Sequence, residues 1–114
     1  MSGYTLYSGS QSPIGKSTYR LTGIVVPALY VPTIVHQTTR NASGTNIDNK
    51  VSSAYPLYGE VDGVGKINGT FRMVTTFTAL QNVVSADERA RIFDEHLAYL
   101  TAHKDKILNG DATP

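Results

Sequence analysis

The sequence predicts an α+β protein, an antiparallel β-sheet of five to six strands followed by one long and one short C-terminal helix. Three observations carry this. Residues up to about Ala79 are rich in Thr, Val, Tyr and Ser, with Gly, Pro and Asn at intervals, the composition of strands joined by turns. Thr70 to Ala79 alternates with period two, the repeat of a strand with one face against a core. From Ser85 the stretch SADERARIFDEHLAYLTAHKDKIL switches to helical spacing. No repeat or linker divides the chain, so residues 1–114 read as a single domain, with a sheet region over 1–80 and a helical region over 85–109.

Taken in order, Tyr4 to Tyr7 reads as a short strand. Ser12-Pro13-Ile14-Gly15 then turns the chain into Lys16 to Thr22, where Tyr19 and Leu21 alternate with Arg20 and Thr22. Pro27 and Pro32 bracket a segment expected at an edge or bend. Thr33 to Arg40 is a longer strand, and the polar loop NASGTNIDN joins it to Lys50 to Tyr58 as an antiparallel hairpin. GEVDGVGKING reads as a glycine-rich connection ending in the turn dipeptide Asn68-Gly69, ahead of the strand Thr70 to Ala79.

In that last strand Phe71, Met73 and Phe77 share one side with Thr75, and Thr70, Arg72, Val74, Thr76 and Thr78 share the other. Val51, Tyr55 and Leu57 separate from Lys50, Ser52 and Ala54 in the same way. Thr33 to Arg40 is ambiguous by alternation. Placing charge in solvent favours His36, Thr38 and Arg40 outward.

The helix has clear ends. Ser85 and Glu88 have the spacing of a capping box, Asp87 adds acid to the first turn, and Lys104 and Lys106 are basic near the end, all of which suits the helix dipole. Ala86, Ala90, Phe93, Leu97 and Leu100 form an apolar stripe, and Gly110 is placed to end a short continuation. Burying Phe93, Leu97, Leu100, Ile107 and Leu108 would contribute roughly 1.5 to 3 kcal/mol each before entropy. What covers the stripe is therefore the main question. The chain's own sheet is one answer, and a partner's strands in a dimer is the other.

Composition excludes several chemistries. There are no cysteines, and the formal net charge is +1, so any nucleic acid would be held by a local basic patch. No secretory signal or bilayer-length apolar run is found, so no membrane partner is expected. SGSQSPIGKST resembles a phosphate loop, but Ser10 stands where its first glycine is required. His96 and His103 lie seven apart and could join His36, yet no close pair supports a metal. No catalytic constellation, cofactor, metal or small-molecule substrate is expected. The competing reading is a small ligand-binding domain or enzyme with a pocket between sheet and helix, using His36 or His96.

The order of a sheet, then TFRMVTTFT, then SADERARIFDEHLAYL resembles the coat proteins of single-stranded RNA bacteriophages, the leviviruses, nearest the Qbeta type. Ser85, Asp87 and Glu88 match the helix cap of that family, Arg89-Ala90 follows, and Glu95 to Leu100 matches its Glu-x-Leu-Ala-x-Leu run. Val26-Pro27-Ala28-Leu29 ahead of the long strand also looks like that type. The resemblance spans most of the chain and is strongest in its last third.

The resemblance implies a homodimer in which two sheets join edge to edge and each subunit's helices cross onto the other's strands. Phe93, Leu97 and Leu100 would pack on the partner's Phe71, Met73 and Phe77. Such dimers build an icosahedral, T=3 shell, made in the bacterial host cytoplasm, whose inner sheet face binds genomic RNA and a hairpin that represses replicase translation. Carried over by strand, the RNA side is His36, Thr38 and Arg40, then Lys50 and Ser52, then Thr70, Arg72 and Thr76. Arg72 and Thr70 stand where the Qbeta type has an acid and a tyrosine, so its specific hairpin contacts do not transfer. Tyr4 to Ser8 aligns with the second strand of the family's N-terminal hairpin, and the glycine-rich connection falls where the family makes contacts around symmetry axes.

Overall fold

The computed structural model describes residues 3–43, 46–78 and 85–114. The chain forms two compact units, Met1–Asn82 and Val83–Pro114. The first is a five-stranded antiparallel sheet whose spatial order follows the chain: β1 (Tyr4–Ser8), β2 (Gly15–Leu21), β3 (Thr33–Arg40), β4 (Ile47–Val61) and β5 (Val64–Phe77). A 3-10 turn, Ala28–Tyr30, fills the bend between the two prolines. The second unit is α1 (Ala86–Ala102) followed by α2 (Lys104–Leu108). The expected strand through Ala79 ends at Phe77, and Ala79 lies outside the described residues.

Three features differ from the expectation, each for a physical reason. Tyr4–Ser8 is an edge strand of the main sheet, paired with β2 from Tyr4↔Leu21 to Ser8↔Thr18. The glycine-rich connection is mostly strand. β4 and β5 pair out to Val61↔Val64, leaving a two-residue turn at Asp62-Gly63. Both turn residues have positive φ, 53° and 78°, as a type I′ hairpin turn requires, so this dipeptide and not Asn68-Gly69 reverses the chain. Near Gly69 the register shifts between Pro56 and Tyr58, a bulge that lies just past the last β3 pair, Thr33↔Ala54, where a strand proline is tolerated.

The third difference is the facing of β3. Val51 pairs with both His36 and Thr75, and Ser53 pairs with both Ile34 and Met73. Residues directly opposite share a face, so Ile34, His36, Thr38 and Arg40 lie with Phe71, Met73 and Phe77, not with Arg72. The expectation that His36, Thr38 and Arg40 share a face with Lys50 is thus corrected, although His36 and Arg40 are solvent-exposed where they lie.

The segment resembling a phosphate loop is a serine-rich turn. Ser10 Oγ donates to the Ser12 carbonyl (2.7 Å), Ser12 Oγ donates to the Ile14 carbonyl (2.7 Å), and the Ser10 amide donates to Ser17 Oγ (3.0 Å). It opens into strand β2 rather than a helix. A Cβ at Gly15 would run into Ser10 Oγ, so a side chain there would displace that hydroxyl from the Ser12 carbonyl.

In α1, Ser85 Oγ accepts the Glu88 amide at 3.2 Å, with Asp87 and Glu88 in the first turn, as the sequence predicts. No basic residue occupies the last turn of α1, because His103 interrupts the helix and Lys104 and Lys106 fall in α2. Gly110, at φ 68°, ends α2. Its amide donates to the Ile107 carbonyl (3.1 Å) and that of Asp111 to the Lys106 carbonyl (2.9 Å), which together make a Schellman motif.

Among the described residues Pro32 is fully buried, but no valine, leucine, isoleucine, methionine, phenylalanine or tyrosine side chain is. Phe71 and Met73 are 49% and 56% exposed, and Phe93 and Leu97 are 47% and 51% exposed. Each such side chain leaves roughly 1.5 to 3 kcal/mol of burial energy partly unrealised.

Candidate nucleic-acid interface

The ladder sorts the sheet into an apolar and a basic face. On the apolar face one cross-strand row runs Leu6, Tyr19, Ile34, Ser53 and Met73, and a neighbouring pair is Tyr55 and Phe71. A polar corner interrupts it. Asn49 Oδ1 accepts from His36 Nε2 at 2.5 Å and from Thr38 Oγ1 at 3.0 Å, which sets the proton on Nε2 of the imidazole.

The opposite face holds three rows. Arg20, Thr33, Ala54 and Arg72 form the first, Thr18, Val35, Ser52 and Val74 the second, and Lys16, Gln37, Lys50 and Thr76 the third. With strands about 4.8 Å apart, Lys16 and Lys50 stand about 10 Å apart and Arg20 and Arg72 about 14 Å. Cations at such spacing, with hydroxyl and amide groups between them, suit a flexible polyanion whose phosphates and unpaired bases need several separate contacts. Lys16, Lys50 and Arg72 form no ion pair among the described residues, and the one described acid that shares this face is Asp48, opposite Thr39.

Of the eight residues that sequence reasoning placed on one side, the structure brings Lys50, Ser52, Thr70, Arg72 and Thr76 together. His36, Thr38 and Arg40 are on the other face. Lys16, Thr18, Arg20, Gln37 and Thr39 were missed. The signal for β2 was present, since Arg20 alternates with Tyr19 and Leu21; for β3 it lay in the non-local pairing with β4. Of the residues expected at a dimer interface, Phe71, Met73 and Phe77 share the apolar face, and Phe93, Leu97 and Leu100 lie on α1.

Among the described residues, no group of three histidine or acidic side chains is placed to hold a metal, and no helix is long and apolar enough to cross a membrane.

No protein-family model matches the sequence, and no curated protein matches it either. Solved structures do. The fold is similar to the virus-like particle of bacteriophage AC, with a TM-score of 0.90 and 44% identity over 96% of this chain and 96% of that one. It is also similar to the virus-like particle of bacteriophage NT-391 (TM-score 0.81, 30% identity, 97% of this chain and 94% of that one). The particle of Beihai levi-like virus 21 shares the fold at 17% identity and a TM-score of 0.69, over 97% of this chain and 86% of that one. The class these matches define is a structural capsid protein, so the competing enzyme reading falls. The chain belongs to the coat proteins of levi-like RNA bacteriophages.

Proposed function

We propose that this coat protein pairs into homodimers that assemble into an icosahedral shell around single-stranded genomic RNA. The observation that carries the reading is 44% identity, over 96% of the chain, to the subunit of a virus-like particle. The apolar sheet face and the α1 stripe supply its physical basis. Exposed Phe71, Met73, Phe93 and Leu97 need a cover, and in the dimer each subunit's helices lie across the partner's apolar face. That leaves the basic face, with Lys16, Arg20, Lys50 and Arg72, toward the RNA. The family resemblance extends the proposal to a T=3 shell assembled in the host cytoplasm, to residues 1–114 acting as a single coat-protein domain, and to repression of replicase translation by an RNA hairpin on the same face.

Size-exclusion chromatography and negative-stain microscopy on protein expressed in bacteria, with absorbance read at nucleic-acid and protein wavelengths, test this directly. Uniform particles containing RNA are expected. A nucleic-acid-free monomer would overturn the proposal.

A further inference from the structure

We propose that Tyr7 and Arg20 form a stacking site for an unpaired base of single-stranded RNA, at the β1 edge of the basic face. The inference rests on the reading of that face as the RNA side and gives it a base-binding position. β1 begins with Tyr4 opposite Leu21 and Leu6 opposite Tyr19, both on the apolar face, and its register then shifts between Leu6 and Ser8. Tyr7 is the extra residue. Thr5 is opposite Arg20, so Tyr7, two residues on, takes the same basic side, and its ring lies under the Arg20 guanidinium, whose carbon is 4.6 Å from the ring centroid. Arg20 is in the row of Arg72, so the ring belongs to the basic side.

The pair is pre-set for a planar ligand. Arg20 Nη2 donates to the Ala28 carbonyl at 3.4 Å, so the guanidinium is held by both that carbonyl and the ring, and fewer rotamers are lost on binding. Tyr7 is nonetheless 66% exposed. Other sheet tyrosines are differently placed. Tyr4, Tyr19 and Tyr55 take the apolar face, and Tyr58 meets Tyr30 in a tilted ring contact, 4.7 Å between centroids and 60° between planes. Anchoring β1 does not require an open ring, since the ladder with β2 already does that. An exposed aromatic beside a guanidinium offers two π-surfaces of the kind on which unpaired bases stack, while Lys16 and Arg72 on the same face can take the flanking phosphates.

The test uses full-length protein expressed in bacteria. Ultraviolet crosslinking of the RNA-containing material, followed by peptide mass spectrometry, should yield a nucleotide adduct on Tyr7. Binding is then compared for a fluorescent single-stranded RNA decamer and the corresponding duplex. Tyr7→Ala should weaken single-strand binding about tenfold or more, with duplex binding and the salt slope unchanged, and Tyr7→Phe should restore it. Equal single-strand binding by Tyr7→Ala and the unaltered protein would overturn the site, as would equal losses on both probes, which would mark a merely structural residue. Arg72→Ala separates the two levels. If it weakens binding and Tyr7→Ala does not, the stacking site alone is wrong; if neither matters, the RNA face falls as well.

Discussion

Gln37 stands directly opposite Lys50, and that pairing decides which face of the sheet every β3 side chain takes. Lys50 is opposite Thr76 on its other side, so β3, β4 and β5 present Gln37, Lys50 and Thr76 in one line. RNA held here should be sensitive to Lys50→Ala and Arg72→Ala and insensitive to His36→Ala. Each loss of a phosphate contact should reduce the dependence of log affinity on log salt by about 0.7. Titration of a single-stranded RNA at several salt concentrations reads this. A flattened slope for His36→Ala, with none for Lys50→Ala, would put the RNA on the other face.

Leu97, half exposed on α1, gives the clearest test of the dimer. Under a partner sheet, Leu97→Asp would bury an unpaired carboxylate at a cost of several kcal/mol, and soluble dimer should be lost. Leu97→Met keeps volume and should be tolerated within about 1.5 kcal/mol. Light scattering coupled to chromatography reads both. A well-folded monomer carrying Leu97→Asp alongside an unaltered protein that is itself monomeric would argue that the stripe needs no partner.

The polar corner on the apolar face tests the same covering from the sheet side. Asn49→Ala removes the one acceptor shared by His36 and Thr38. If a partner's helices exclude water there, two donors are stranded, and the loss should be about 1 to 3 kcal/mol per unsatisfied group. If the face stays wet, water replaces the amide and the change should be close to zero. Denaturant titration of the assembled dimer distinguishes these outcomes.

How much of this was legible beforehand depended on whether the deciding interaction was local. Ser85 and Glu88 lie within one turn, so the helix start was readable and the structure has it there. The β5 alternation of Phe71, Met73 and Phe77 was equally readable, because apolar and polar positions differ sharply. In β3 both alternatives mix an aliphatic with polar groups: Ile34 goes with His36, Thr38 and Arg40, and Val35 goes with Thr33, Gln37 and Thr39. Only pairing with β4 breaks the tie. The rule that charge seeks solvent could not break it, because His36 and Arg40 are exposed on the face they take, beside Asn49. The glycines of GEVDGVGKING read locally as a loop, yet cross-strand pairing extends through Gly65, opposite Glu60. Tyr7 was invisible as a site because its neighbour Arg20 is brought to it only by the pairing of β1 with β2.

The hairpin tip makes the last prediction. Gly63 has φ 78° and nothing within 4 Å of where a Cβ would sit, so Gly63→Ala meets no steric neighbour and its whole cost is the left-handed backbone. That cost should be about 1 to 2 kcal/mol, confined to the tip because β4 and β5 are paired from Val61↔Val64 downward. Asp62→Asn, which also tolerates positive φ, should be nearly neutral. Amide hydrogen exchange should accordingly show faster opening beside residues 62 and 63 in Gly63→Ala, with unchanged protection around Lys50 and Thr76. Unaltered exchange at the tip would mean that the chain reverses through a looser loop, and the glycines would then regain the role of a plain connection.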